Sequence, residues 1–149
     1  MKQYVFKSAT ELARMIRESK ATSTDIVKVH LDQIKNHNST LHAMISIFDE
    51  EAMKEAALCD EEAKTGRFPV PLHGVPVTIK EQFWMKGKFS NTNFNMLKDF
   101  VAPEDAVIVD RINKRGAHLR EFFSSSKESV ERSSIHLHWN ATLGLATKW

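Results

Sequence analysis

One lysine stands out because it ends a short apolar run. The sequence "PLHGVPVTIKEQFW", residues 71–84, contains an apolar segment at 75–79 that ends directly at Lys80. An exposed ammonium group has a pKa of about 10.4 and cannot act as a base near neutral pH. Burial disfavours the charged form, and the neutral amine can then take a proton from a hydroxyl group. Lys80 is therefore a candidate catalytic base, and the apolar strand that leads into it is expected to shield its amine from water.

A second interpretation of Lys80 involves no chemistry. A strand can reach the surface at its end, and a lysine there can lay its aliphatic stem on apolar atoms while its charge stays in water. Taken without the neighbouring segments, the residues around position 80 favour this exposed lysine.

Two further patterns lie in the last part of the chain. Ser124-Ser125-Ser126-Lys127 fits S-x-x-K, a nucleophile pattern of serine β-lactamases, but such matches are common by chance in a serine-rich stretch. We interpret it as a solvated loop or a helix start. His136 and His138 could share one side of a strand, but no carboxylate or thiolate accompanies them at a typical metal-ligand spacing. The sequence predicts no metal site and no cofactor.

Length and composition predict one globular domain. The chain has 149 residues, 42% hydrophobic and 27% charged, which is enough for a core and typical of a folded protein. The net charge of +2, with both signs interspersed, favours neither nucleic acid nor an acidic membrane surface as a partner. The first residues lack an apolar signal region, and we expect a cytoplasmic protein. Cys59 is the only cysteine and is expected to pack as a small apolar residue.

Three helices are predicted before the Lys80 strand. Ser8 to Glu11 is typical of a capping box, and Thr22 begins a second helix in the same way. His30 lies on the apolar face of that second helix, where we expect it to be packed and hydrogen-bonded. A third helix is predicted from about Asp49 to Lys64, ending at Gly66. Its inward face is predicted to be Ala52, Met53, Ala56, Ala57 and Ala63.

Prolines and a glycine between residues 69 and 76 predict a turn before a strand at 77–79. Further on, Pro103 is predicted to lie in the first turn of a fourth helix, with Glu104 and Asp105 at its positive end and Gly116 after it. The packing residues of that helix are predicted to be Ala106, Val107, Val109 and Ile112. The order of elements predicts an α/β architecture in which the sheet has only begun.

Three ordered segments resemble the N-terminal part of the amidase signature family. They read "SATELARMIR", "PLHGVPVTIKE" and "LKDFVAPEDAVIVDRINKRGA", and the likeness runs from about Ser8 to Ala117. One such segment would be a weak signal, but three in matching order and spacing are specific. The resemblance implies an α/β fold in which N-terminal helices precede the first strands of a mixed sheet, here truncated.

The resemblance also implies a chemistry. Members of the family hydrolyse or transfer carboxamide groups with a Ser–Ser–Lys triad and an acyl-serine intermediate, without a metal or organic cofactor. Lys80 matches the lysine of that triad, and Glu81 stands where most members have Asp. The two serines belong to a glycine- and serine-rich segment well downstream. The implied substrate is a small-molecule amide, bound once a C-terminal part completes the site.

Three aromatic residues follow Lys80 and have two interpretations. Phe83, Trp84 and Phe89 could line a substrate pocket, because they lie in the loop after the strand. Ordinary core packing explains them equally well.

The end of the chain departs from the family pattern. Residues 118–149 contain no G-G-S-S-G-G-like run, so we divide the chain into an amidase-like part, 1–117, and a divergent tail, 118–149. A shifted reading frame is one explanation of the tail. We expect no amide hydrolysis by this chain alone. Two other hypotheses stay open. The chain could be a non-catalytic remnant that pairs with a complementing fragment, with a partner subunit or with its own copies, or it could be an unstable product with no function.

Overall fold

The computed structural model describes residues 2–90, 95–114 and 119–123 of the chain. Its helices are α1 (Ala9–Arg17), α2 (Ser23–Leu41), α3 (Asp49–Lys64) and α4 (Val107–Lys114), its strands β1 (Pro76–Lys80) and β2 (Leu119–Phe123), and its short 3-10 turns Lys2–Tyr4 and Asn95–Leu97. The predictions for Gly116 and for residues 124–149, including the S-x-x-K and His-x-His patterns, lie outside the described residues. The predicted order of helices followed by the first strands of a sheet is confirmed.

Helix α1 begins with the predicted capping box. The Ser8 hydroxyl accepts from the Glu11 amide at 3.2 Å, and the Glu11 carboxylate accepts from the Ser8 amide at 2.9 Å. The bond from the Ser8 amide, and next the one from the Ser8 hydroxyl, which also donates to the Glu11 carboxylate at 3.0 Å, lower the pKa of Glu11 to about 2. The buried face of α1 packs with residues of α2 and with Val75, which directly precedes β1.

Helix α2 is capped twice, once by its own sequence and once by α3. The Thr22 hydroxyl accepts from the Asp25 amide at 3.0 Å, as predicted. In addition, the Asp60 carboxylate on α3 accepts from the Ser23 amide at 2.6 Å, the Thr24 amide at 3.0 Å and the Thr24 hydroxyl at 2.6 Å. A carboxylate suits the positive end of a helix, and this one fixes α2 against α3.

Helix α3 has the predicted bounds but a narrower inward face. Its buried residues are Ala52, Ala56 and Cys59, which share one side of the helix. The prediction that Ala57 faces inward is wrong, because a position one residue after Ala56 is rotated away and is exposed. Gly66 ends the helix as predicted: it has a φ of +73°, and its amide donates to the Ala63 carbonyl at 2.9 Å.

The two strands pair in parallel. Their register runs from Pro76 opposite Leu119 to Lys80 opposite Phe123. Strand β2, which lies in the predicted tail 118–149, therefore pairs directly with the strand that carries Lys80. Because the strands are parallel, their carboxyl ends lie at the same edge of the sheet, which is where open α/β sheets bind ligands.

Helix α4 begins later than predicted, at Val107 rather than near Pro103. The reason lies in Asp105, whose carboxylate accepts from the Lys86 amide at 2.7 Å and from the Asn113 side chain at 3.0 Å. Asp105 thus closes the preceding loop onto the helix. Val109 is buried as predicted, whereas Val107 is 67% exposed, so its predicted packing role is wrong.

Candidate active site

The turn that leads into β1 is attached to helices α1 and α2. The Arg17 guanidinium on α1 donates to the Pro71 carbonyl at 2.7 Å. The buried Ser23 hydroxyl at the start of α2 donates to the Gly74 carbonyl, also at 2.7 Å. These contacts fix the backbone just before the strand that carries Lys80.

Helix α3 holds the same turn through Cys59. The His73 Nε2 donates to the Cys59 carbonyl at 2.9 Å. Both side chains are buried. Burial raises the pKa of the Cys59 thiol to about 11, and the nearby carboxylates of Glu62 and Glu55 add to this effect. The prediction that Cys59 packs as an apolar residue is confirmed, and its carbonyl also accepts a hydrogen bond from His73 of the turn.

Gly74 allows the close approach between this turn and the helices. Its φ is +73°, and a Cβ placed on it would lie 2.9 Å from the Ser23 Cβ and 3.2 Å from the Ile16 Cδ1. Glycine adopts a positive φ readily and leaves the space that these side chains fill.

Strand β1 presents alternate residues to opposite sides. Ile79 is 4% exposed and packs with Met85 and Val109, both fully buried. Lys80 points to the other face at the carboxyl end of the strand. The backbone is held after Lys80 as well, because the Phe83 amide donates to the Lys80 carbonyl at 2.9 Å and the Ser90 hydroxyl donates to the Glu81 carbonyl at 2.8 Å.

The expectation that Lys80 is shielded from water is not met in this structure, because Lys80 is exposed. The apolar residues of β1 shield the Ile79 side, where Met85 and Val109 pack, and not the side on which Lys80 ends the strand. The geometry thus places Lys80 at a fixed backbone position with its amine open to solvent. This corresponds to the second interpretation drawn from the sequence.

The three aromatic residues after Lys80 do not act as one group. Phe83 packs against the Ile79 cluster and belongs to the core. Trp84 is partly exposed and lies 5.2 Å from the Phe100 ring, and Phe89 is exposed beside Val101. Core packing accounts for Phe83, while Trp84 and Phe89 remain candidates for an exposed wall beside the site.

Other candidate residues have structural roles. The His30 Nδ1 lies 2.7 Å from the Ile26 carbonyl, and burial lowers the pKa of this imidazole, so the prediction of a packed, hydrogen-bonded histidine is confirmed. Among residues 2–90, 95–114 and 119–123, no group of three or more His, Cys, Asp or Glu side chains could hold a metal ion. In the same ranges no helix combines the length and the apolar character that a membrane crossing requires.

Sequence reasoning missed the polar residues that attach the turn. Ser23 and Asp60 lie far from Lys80 in the chain, and each looks like an ordinary surface residue of a helix. His73 and Gly74 could have been identified from the sequence, because both belong to the "PLHG" segment that immediately precedes the strand.

Comparison with known proteins identifies the family. The family described as Amidase matches residues 25–120, so the chain belongs to the amidase family. This confirms the resemblance to the amidase signature enzymes.

Two curated relatives and one solved structure illustrate the match. A glutamyl-tRNA(Gln) amidotransferase subunit of Coxiella burnetii is 34% identical over 141 residues, covering 90% of this chain and 29% of the relative. Indoleacetamide hydrolase of Bradyrhizobium diazoefficiens is 36% identical over 113 residues, covering 74% of this chain and 21% of the relative. The peptide amidase of Stenotrophomonas maltophilia superposes with a TM-score of 0.70 at 25% identity, covering 84% of this chain and 25% of that structure. The chain thus spans less than a third of the length of these proteins.

Proposed function

We propose that this chain is the lysine-bearing part of an amidase and that Lys80 is the general base of the complete active site. The observation that carries the proposal is the position of Lys80 at the carboxyl end of a parallel strand, within the matched residues of the amidase family. A turn attached to three helices sets the start of that strand.

The proposed reaction is acyl transfer from a carboxamide. The neutral Lys80 amine takes the proton of a serine hydroxyl, directly or through a second hydroxyl, and the serine oxygen attacks the amide carbonyl. The C–N bond then breaks, and the leaving amine receives the proton from the lysine. Water, or another acceptor, attacks the acyl-serine and regenerates the hydroxyl. The serines belong to the remaining part of the enzyme.

The exposure of Lys80 has a direct consequence for activity. Lys80 is exposed here, and a lysine becomes an effective base when burial disfavours its charged form, so we propose that a further part of the enzyme covers its side of β1. The 149-residue chain is therefore expected to hydrolyse no amide, since its sequence has no glycine- and serine-rich segment and Lys80 is exposed among the described residues. We propose a small-molecule amide as the substrate class and the cytoplasm as the location.

A fusion tests this function. Residues 1–123 would replace the corresponding segment of the Bradyrhizobium diazoefficiens indoleacetamide hydrolase, and ammonia release from indoleacetamide would be measured. The fusion is expected to be active, with an acyl-serine detectable by mass spectrometry after rapid quenching. The 149-residue chain alone and the remainder of the hydrolase alone are expected to be inactive. A folded fusion without activity would contradict the proposal.

A second function, pairing with another polypeptide, is favoured by one specific feature. Several large apolar side chains of the described residues are exposed around the loop before α4 and at the start of that helix: Phe89, Met96, Leu97, Val101, Val107 and Ile108. One relative is itself named as one subunit of an amidotransferase. Mixing the 149-residue chain with the remainder of the hydrolase and measuring the mass of the product by light scattering tests pairing. A 1:1 complex is expected if this function holds, and two separate species would contradict it.

A further inference from the structure

His73 is the most deeply buried titratable side chain next to the strand that carries Lys80. Its imidazole is 1% exposed, and its Nε2 donates to the Cys59 carbonyl at 2.9 Å. Phe68 covers it edge-on, with 5.6 Å between the ring centroids. A buried polar ring is costly unless its hydrogen bonds are made, so the bond to Cys59 determines where this ring can lie.

The other ring nitrogen of His73 contributes little to this attachment. The Nδ1 is buried without a hydrogen-bond partner in the described part of the chain, and the Glu62 carboxylate lies 3.7 Å from it. That separation is too long for a hydrogen bond. The attachment of His73 to α3 therefore depends on the Nε2.

The attachment acts close to the strand. The Cys59 carbonyl accepts from His73, and Gly74 follows His73 directly in the chain. Strand β1 begins two residues after Gly74. Only Gly74 and Val75 separate His73 from β1, and so few residues cannot absorb a large displacement, so a shift at His73 is transmitted to the start of β1.

We propose that His73, acting through Cys59, is a positioning residue for Lys80. The hydrogen bond between His73 and Cys59 is here called the turn clamp. It sets the position of β1 and therefore the position of the Lys80 amine in the complete active site. The inference rests on the proposed role of Lys80, but the turn clamp itself can be tested without catalysis.

The single cysteine provides the first readout. Cys59 lies inside the turn clamp, and its raised pKa keeps it as the unreactive thiol until the clamp opens. Alkylation by iodoacetamide at pH 8, followed by mass spectrometry on the 149-residue chain, therefore measures the opening of the clamp. Hydrogen exchange of the peptide covering residues 75–81 measures the effect on the strand.

Three variants separate the clamp from general stability. His73→Leu removes the hydrogen-bond donor, whereas His73→Gln keeps a donor nitrogen that can reach the Cys59 carbonyl. Val109→Ala lowers stability elsewhere, because it makes a cavity in the separate core around Ile79. We expect alkylation to accelerate about tenfold or more in His73→Leu and to stay within about threefold of the parent in the other two. Exchange in residues 75–81 should accelerate in His73→Leu, while the α1 peptide stays unchanged.

The amidase fusion provides the link to Lys80. There, His73→Leu is expected to lower kcat about tenfold with KM nearly unchanged, and His73→Gln is expected to restore most of the loss. Equal alkylation rates in His73→Leu and the parent, equal acceleration in Val109→Ala, or an unchanged kcat would overturn the proposal. An inactive parent fusion combined with the expected alkylation pattern would instead refute the role of Lys80 and leave the clamp in place.

Discussion

The Ser23 hydroxyl donates a 2.7 Å hydrogen bond to the Gly74 carbonyl, so the first turn of α2 and the turn before β1 are joined in a buried contact. This contact requires that residue 74 have no side chain, because a Cβ there would lie 2.9 Å from the Ser23 Cβ. The position of the strand that carries Lys80 is therefore set by residues of α2 as well as by its own sequence.

Replacing Gly74 is expected to be more costly than replacing a glycine with the same backbone angle in open space. Gly74 and Gly66 both have a φ of +73°, but a Cβ on Gly66 meets nothing within 4 Å. We expect Gly66→Ala to lower the free energy of unfolding by about 1 kcal/mol and Gly74→Ala by about 2 to 4 kcal/mol. Urea denaturation of both variants measures the difference, and equal losses would contradict the close packing.

The Asp60 carboxylate is expected to stabilise the start of α2. It accepts three hydrogen bonds from Ser23 and Thr24, and an amide side chain cannot accept all of them. Asp60→Asn should lower the free energy of unfolding by about 1 to 2 kcal/mol. The matched control is Glu61→Gln, at a neighbouring site 69% exposed, which should change it by less than about 0.5 kcal/mol. Similar effects of the two substitutions in urea denaturation would refute the cap.

The reactivity of Cys59 is expected to report its buried environment. Its pKa of about 11 lies well above the ordinary value of 9.0, so native protein should form the thiolate only at strongly alkaline pH. The pH profile of alkylation should therefore rise near pH 11 in the native chain and near pH 9 in urea. An inflection near pH 9 in the native chain would contradict the buried thiol.

The same pKa predicts how stability changes with pH. Between pH 9 and 11 the native chain keeps the proton that the unfolded chain releases, so stability falls as the pH rises through this range. The loss expected from Cys59 is about 2 to 3 kcal/mol, since each pKa unit corresponds to about 1.36 kcal/mol. Cys59→Ala should remove this part of the alkaline dependence, which urea denaturation at several pH values can measure.

The capping box of α1 is expected to lower the pKa that a titration of the Glu11 carboxylate measures. The Ser8 amide and hydroxyl lower the pKa of Glu11 to about 2, so this contribution to stability is present above pH 4.5 and is lost as the pH falls towards 2. Ser8→Ala removes the hydroxyl but keeps the amide, so it should raise the pKa of Glu11 part of the way towards 4.5, as followed by NMR of the side-chain carboxyl. An unchanged Glu11 titration in Ser8→Ala would mean that the Ser8 hydroxyl makes no contribution.

The parts of the fold that could be predicted from sequence depend on neighbouring residues. The caps at Ser8, Thr22 and Gly66 lie within a few residues of the helix ends they stabilise, and all three were predicted correctly. The start of α4 was missed because Asp105 is engaged by the amide of Lys86, a residue that no local pattern connects with it.

The candidate site shows the same distinction. The position of Lys80 at a strand end follows from the short segment before it. The exposure of Lys80 does not follow from that segment, because burial depends on which elements cover each side of the strand. The Met85 and Val109 side chains pack on the side of Ile79 and leave Lys80 exposed. The attachment by Ser23 and Cys59 could not be predicted either, since it joins residues that are close only after folding.

The role of Lys80 is tested most directly by its removal from the amidase fusion. Lys80→Met and the control Lys54→Met, an exposed lysine on α3, would be compared for hydrolysis of indoleacetamide after both are shown to fold. Loss of a general base should lower kcat about a hundredfold or more, while Lys54→Met should keep the parent rate. A Lys80→Met fusion with a kcat within a few-fold of its parent would show that the lysine is not the base.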